Sequence, residues 1–229
     1  MANKNLFREY IVNKRINISE QDRMTNSNDT PYFFNNLMKA YLTLISEIIP
    51  KIADEFSSDS SFEIWNPTAK SGQESFSILI GADSKLRRDI LQKISVVSTS
   101  DKQEHIDKIK EGIFSGMEVQ RGLPIKLLLK YFEQLPDKSW KATQKLSKKI
   151  ETKKFNFETD SPDTDKYHLI VCPDIFSDGQ ADDEKVLSQL ETSLKKGGAV
   201  FTIKETPQIE GTDKWSKVEV EGIIYYTLK

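Results

Sequence analysis

The segment from Ile64 to Ile80, IWNPTAKSGQESFSILI, constrains this chain more than any other stretch. It opens with a strand-like apolar run, passes through a small polar turn around Gly72, and resumes with apolar residues at helical spacing. A strand, a tight glycine turn and a helix N-terminus together form a cradle. A turn without bulky side chains lets a nucleoside or other polar cofactor approach backbone N–H groups at the positive end of the helix. One glycine is not a phosphate loop, and neither GxGxxG nor GxxxxGK[ST] occurs anywhere in the sequence. Taken alone, the segment also reads as an ordinary strand–turn–helix connection.

With 229 residues the chain can bury a sizeable core, as one domain with a small appendage. Its 33 basic residues are interspersed with 35 acidic ones, a net charge of -2, which gives no basis for nucleic-acid binding. Cys172 is the one cysteine and His105 and His168 the two histidines, so no internal disulfide and no metal constellation are expected. No apolar run approaches the roughly 20 residues of a membrane span, and the start MANKNLFREYIVNKR lacks the apolar centre of a signal peptide. The expected setting is reducing and cytoplasmic.

Residues 1–31 are polar with scattered apolar positions at Leu6, Phe7, Ile11 and Val12, and are expected to form a short N-terminal arm before a domain spanning 32–229. Phe34, Leu37, Tyr41, Leu44, Ile45, Ile48 and Ile49 share one helical face, which Pro50 is expected to stop. Strands are predicted over Phe62–Trp65, Ile94–Thr99, Tyr167–Cys172 and Ala199–Lys204, with helices over Ser71–Ile80, Gln103–Glu111 and Glu184–Leu194. Arg87–Lys93 continues helical, and RGLPIKLLLKYFEQL reads as a Gly-Pro turn followed by an amphipathic helix. Gly197-Gly198 is expected to cap the Glu184–Leu194 helix, and Lys217–Val220 with Ile223–Leu228 to form a terminal hairpin. Strands alternating with helices and ending in a hairpin indicate an α/β sheet, mostly parallel, with an antiparallel edge. In such sheets the ligand lies outside the carboxyl ends of the strands, so the loops after Trp65, Thr99 and Cys172 should converge there.

These residues carry a resemblance to the chemotaxis receptor (CheR-type) methyltransferases. That family has a segment like WSAACSTGEEPYS, and WNPTAKSGQESFS keeps Trp65, Gly72, Glu74 and Ser77. STSDKQEHIDKIKEGIF resembles the family's ATDI-to-GIY stretch, and Arg121–Pro124 and Lys130–Phe132 match its RGLP and KYF elements. IETKKFNF retains Asn156 of a V-x-F-x-x-x-N-L element, YHLIVCPD resembles FDLI-x-C-R-N, and Leu194–Gly198 resembles L-x-P-G-G. The resemblance runs in unbroken order from about residue 30 to the end. It implies a Rossmann-like class I methyltransferase sheet with helices on both faces, and S-adenosylmethionine as cofactor. The implied activity is methylation of a glutamate on a chemotaxis-type receptor or other signalling protein. The cofactor-binding positions it implies are Thr68, Gly72, Glu74, Ser100, Asp101, Asn156 and Cys172, with no metal and no assigned catalytic residue.

The departures cluster. The arginine of the family's FFRDP entry is Asn35, and the first Glu of its GEE element is Gln73. The acidic residue that would hold the ribose hydroxyls falls on Ser100, with Asp101 one position away. The C-R-N-x-x-I-Y loop, which supplies Arg, Asn and Tyr, has become Cys172, Pro173, Asp174, Ile175, Phe176, Ser177 and Asp178. Much of the family's N-terminal helical region is expected to be missing, and 205–215 is too short for the small β-subdomain of some members. A glutamate, with a pKa near ~4.3, is already anionic at neutral pH, so methyl transfer to it needs no general base. Catalysis would rest on positioning by donors such as Arg and Tyr, which are the groups lost. Two readings follow: an active protein-glutamate methyltransferase, or a degenerate relative that retains the fold, has lost S-adenosylmethionine binding or catalysis, and serves as an interaction or regulatory module. The losses favour impaired chemistry. Gly72 reads equally as a backbone-geometry residue, Glu74 as a helix first-turn acid and Asn156 as a turn former, while Cys172 reads as a small buried residue.

Overall fold

The computed structural model describes residues 33–34, 38–173, 175–176, 182–203 and 205–229. In chain order these form α1 (Met38–Thr43), a π turn (Leu44–Ile48), α2 (Ile49–Glu55), β1 (Phe62–Asn66), α3 (Gln73–Lys85), α4 (Arg88–Lys93) and β2 (Ile94–Ser100). There follow α5 (Gln103–Glu111), β3 (Ile113–Phe114), α6 (Gly116–Gln120), α7 (Ile125–Tyr131), β4 (Phe132–Gln134), β5 (Trp140–Ala142), α8 (Gln144–Ser147) and β6 (Ile150–Lys154). The chain ends with β7 (Tyr167–Val171), α9 (Asp183–Ser193), β8 (Leu194–Ile203), α10 (Pro207–Glu210), β9 (Trp215–Val220) and β10 (Ile223–Leu228). The N-terminal arm, Asn35, Asp174 and Asp178 lie outside the described residues.

Seven strands form one sheet in the order β6-β2-β1-β7-β8-β10-β9. The pairs β1–β2, β1–β7, β2–β6 and β7–β8 are parallel, whereas β8–β10 and β10–β9 are antiparallel. Alternation along the strands divides the interior in two. Ile64, Val96, Leu169, Val171 and Phe201 join one apolar cluster with Tyr41, Leu44, Phe76 and Leu79, while Trp65, Val97, Ile170, Cys172 and Val200 join another with Val186, Leu187 and Leu190. A period of two on a sheet buried on both faces explains why these strands read as continuous apolar runs. The chain winds outward from β1 through β2 to β6 and returns to β7. The order therefore reverses between β1 and β7, where open α/β sheets leave a crevice at their carboxyl ends.

Several local expectations are corrected. Pro50 does not stop the first helical run; it sits in the first turn of α2, where the missing N–H costs nothing. The π turn just before it, closed by the Ile49 N–H to the Leu44 carbonyl, supplies the slack the proline ring needs. Gly197-Gly198 does not cap α9: the helix ends at Ser193, and both glycines lie in an irregular stretch of β8 where pairing jumps from Tyr167↔Leu194 to Leu169↔Ala199. The amphipathic helix predicted through Leu135 is only α7, because Phe132 turns to extended geometry and starts β4. That strand belongs to a second small sheet, β3-β5-β4, of which only β5 lies in a stretch, 140–155, that reads as short strands.

The small sheet is joined to the main core through aromatic rings. Phe33 meets Phe114 and Phe132 edge-on at 5.1 and 5.6 Å, and Phe76 meets Phe114 at 5.4 Å. Gly122, in the RGLP element, adopts φ +96, and a Cβ there would stand 1.9 Å from the Phe33 carbonyl oxygen. Asp83 on α3 gathers Tyr131 at 2.6 Å, Lys145 at 2.5 Å and Lys130 at 3.1 Å, tying α3 to α7 and α8. Burial pushes the Asp83 carboxyl up, but these donors outweigh it and hold it at about 2.

Gly122→Ala combines backbone strain with a main-chain clash and should destabilise by more than about 2 kcal/mol, read as a lower urea midpoint. Asp83→Asn should cost at most about 2 kcal/mol at pH 7, since salt and solvent screen the two half-exposed lysines. Because the folded carboxyl is depressed below its ordinary value of 3.8, the difference from wild type should be full above about pH 4 and shrink as pH falls toward 2. Urea titrations across that range check both the size and the sign.

Candidate functional site

At the carboxyl ends of β1 and β2 an otherwise apolar interior turns polar: Asn66, Gln73, Ser75, Ser77, Ser98, Thr99 and Ser100 are all buried. Buried polar groups are tolerable only when bonded, and here one network joins the strand ends to α3. The Asn66 amide, at 0% exposure, donates from Nδ2 to Glu74 Oε2 at 2.7 Å and to Ser75 Oγ at 3.3 Å. Ser75 and Ser98 share a hydroxyl bond of 2.7 Å, and Ser77 accepts from the Phe34 N–H at 2.8 Å. Tyr41 of α1 donates its phenol to the other oxygen of Glu74. Asn66 Oδ1 is buried and without a hydrogen-bond partner, a situation that ordinarily costs about 1–3 kcal/mol.

Gly72 is the residue before α3 and adopts φ +91, and a Cβ there would approach Ile109 Cγ1 at 2.8 Å. Both facts require glycine, for backbone geometry and for the close approach of α5. Its carbonyl accepts the Phe76 N–H at 3.0 Å, which starts α3. The loop between β1 and Gly72 is pinned to β2. Ala69 N–H donates to the Thr99 carbonyl at 2.9 Å, while the Thr99 hydroxyl donates to the Pro67 carbonyl and accepts from Trp65 Nε1, each at 3.0 Å. Thr68 stands exposed on that loop.

Ser100 ends β2 and has its hydroxyl engaged by the Lys102 N–H at 3.3 Å and by His105 Nδ1 at 2.9 Å. Burial, followed by nearby Lys102, pulls the His105 pKa down. Asp101 is exposed and is the first residue past the strand, so the carboxylate at this strand end belongs to Asp101 and not to Ser100. Asn156 follows β6 and spends its Oδ1 on the Glu158 N–H at 2.7 Å, while its own N–H donates to Asp160 at 2.9 Å. The turn-former reading of Asn156 thus describes its side-chain oxygen. The adjacent Phe157 tilts against Trp65 at 5.9 Å. Cys172 follows β7, is fully buried outside any disulfide, and donates its N–H to the Phe201 carbonyl at 3.2 Å.

His168 lies toward the other end of β7, where Nδ1 accepts the Glu63 N–H at 3.0 Å and Nε2 meets Asp59 at 2.9 Å. A cavity of about 60 Å³ lies beside Trp65, Thr99, Phe155 and Tyr167, and a larger one of about 380 Å³ lies between α2 and the β9–β10 hairpin, lined by Lys51, Phe56, Lys196 and Tyr225. The larger one opens toward the start of β8, away from the polar cluster. Phe176 packs against the cluster that contains Trp65. Among the described residues there is no group of three His, Cys, Asp or Glu able to hold a metal, and no helix long and apolar enough to cross a membrane.

Sequence reasoning placed Gly72 in the turn, Glu74 in the first turn of the helix, and Ser100, Asp101 and Asn156 at strand ends, but passed over Asn66 and Tyr41. Asn66 had a signal: an amide closing a strand whose other inward positions are apolar. Tyr41 had none, since its role depends on a partner distant in sequence.

The chain is 24% identical to a chemotaxis protein methyltransferase 1 of Vibrio cholerae, over 95% of this chain and 78% of that protein. It is 26% identical to a chemotaxis protein methyltransferase of Borreliella burgdorferi, over 65% of this chain and 53% of that one. A methyltransferase structure from Geobacter sulfurreducens superposes with a TM-score of 0.46 at 8% identity, covering 96% of each chain. Residues 28–220 match the family described as CheR methyltransferase, SAM binding domain, and the chain belongs to that family.

Proposed function

We propose that this protein is an S-adenosylmethionine-dependent protein carboxyl methyltransferase of the chemotaxis type, acting in the cytoplasm on a glutamate of a receptor or other signalling protein. The observation that supports this most directly is the buried polar cluster at the β1–β2 ends, with Glu74 clamped beside an acceptor that lacks a partner. S-Adenosylmethionine is the family's cofactor, and the residues present fit its parts. Glu74, only partly buried, offers an acceptor for an ammonium group, and the first-turn N–H groups of α3 suit a carboxylate. Asp101 offers a carboxylate for ribose hydroxyls, and the Asn156–Phe157 turn offers an amide and a ring for a base.

When bound, the cofactor supplies an electrophilic methyl group on a sulfonium. Held beside Glu74, Asp101 and Asn156, it would supply that methyl to an ionised substrate carboxylate, giving a methyl ester. No proton moves, so the chain needs no base, and His168 being committed to Glu63 and Asp59 is no impediment. What the chain must do is hold the two partners in line and keep water out. A second reading has one specific observation in its favour: Pro173 stands where the family loop carries arginine, and a proline supplies neither a guanidinium nor an N–H. On that reading the chain binds the cofactor as a regulatory module and transfers no methyl group.

Calorimetric titration with S-adenosylmethionine and S-adenosylhomocysteine should give micromolar binding, about -8 kcal/mol. Incubation with tritiated S-adenosylmethionine and cytoplasmic receptor fragments should then label protein in a form released by mild base, as an ester is. Binding without label would favour the regulatory module, and absence of binding with no thermal shift at millimolar ligand would overturn both readings.

A further inference from the structure

We propose that the outer face of α6 and α7 is a docking surface for an acidic amphipathic helix of another protein. Among the described residues the large apolar side chains that stand exposed are Met117 at 65%, Ile125 at 63% and Leu129 at 66%, and all three belong to these two helices. Ile125 and Leu129, four residues apart, share one face of α7. The fold does not need them there, since α6 is anchored through Val119 and α7 through Leu128 and Tyr131, all buried. Exposed apolar residues scattered singly carry no meaning, but their concentration on one short segment marks a contact surface.

Charge says what covers them. From 113 to 148, the stretch that holds the small sheet and α6 to α8, seven basic residues stand against three acidic ones, while the rest of the chain has 26 against 32. On α7 the exposed Lys126 and Lys130 run alongside the Ile125–Leu129 stripe. Lys130 and Lys145, 54% and 60% exposed, share the one carboxylate of Asp83, which leaves a positive charge over. An apolar stripe flanked by cations fits a helix whose own apolar stripe is flanked by glutamate or aspartate. Other occupants fit less well. A second copy on a two-fold axis would set the basic surface against itself. Residues 1–32 carry five basic and four acidic side chains and so bring no excess of acid. Two turns of helix bury too little apolar surface to seat on a membrane, and none of the three exposed side chains is a ring on which a nucleic-acid base would stack. The inference holds whether or not the chain transfers a methyl group.

The test uses the full chain with isotope-labelled methionine, isoleucine and leucine methyl groups, observed by NMR. It is titrated with a synthetic peptide that has leucine at i, i+3, i+4 and i+7 of a helix and glutamate elsewhere, and with the same peptide carrying lysine for glutamate. The glutamate peptide should shift the methyl resonances of Met117, Ile125 and Leu129, with an affinity that falls about 10-fold between about 0.05 and 0.5 M salt, and the lysine peptide should leave them unmoved. Ile125→Ser combined with Leu129→Ser should weaken the glutamate peptide about 10-fold or more, and Lys126→Glu about 3- to 10-fold, with melting curves to establish folding. If the double variant does not fold, Lys126→Glu decides alone. Unmoved methyl groups, or an equal response to both peptides, overturn the proposal. So does a shift that grows with protein concentration in the absence of peptide, which assigns the face to a second copy. A response to phosphatidylglycerol vesicles and not to the peptide overturns it in favour of a membrane, and protection of the three methyl groups from a soluble paramagnetic agent overturns it in favour of the chain's own residues.

Discussion

The whole arrangement depends on β1 being paired on both sides, to β2 through Phe62↔Ile94 to Asn66↔Ser98 and to β7 through Ile64↔Leu169 and Trp65↔Ile170. A strand with two parallel neighbours has both edges bonded and both faces covered, so its side chains must be apolar above and below. Ile64 and Trp65 meet this by facing opposite clusters. Because neighbouring parallel strands need long crossovers, the chain leaves β1 in one direction and returns on the other side, and the crevice at the reversal follows from connectivity before any ligand is considered.

The end of β1 is where this demand for apolar residues relaxes. Asn66 continues the strand, yet carries a group that apolar neighbours cannot satisfy, and the chain answers by bringing Glu74 and Ser75 down from the helix that the Gly72 turn starts. The positive φ of Gly72 and its contact with Ile109 set how closely α3 and α5 approach. Glycine at this position is therefore first a packing requirement, and any contact with a cofactor is made by its neighbours. The same turn thus serves stability and site construction, which is why a glycine-centred segment reads so clearly in the sequence.

What could be read in advance follows a physical pattern. The buried strands Ile94–Ser100 and Tyr167–Val171 were legible because continuous β-branched and apolar residues leave few alternatives. In the small sheet, Trp140–Ala142 falls in a stretch, 140–155, that reads as charged short strands, whereas Phe132–Gln134 was not legible because it continues a helical pattern. Pro50 misled because a proline ordinarily ends a helix, and the π turn that accommodates it has no sequence mark. At the site, Glu74 was visible and its partner Tyr41 was not. Local spacing reports which residues share a turn, whereas a bond between α1 and α3 exists only once the sheet has folded.

The loss of family donors and the presence of the Glu74 clamp have different consequences. On the proposed reading, cofactor recognition draws on α3 and on the turns that follow β1, β2 and β6. Substrate positioning in the family draws on the loop after β7, where this chain has Cys172-Pro173 and neighbouring acids in place of arginine. A proline in the arginine's place supplies no bidentate donor. The body of the fold can therefore keep its affinity for the cofactor while the substrate loop diverges. On that reading binding and transfer are separable properties, because the groups proposed for them sit on different elements.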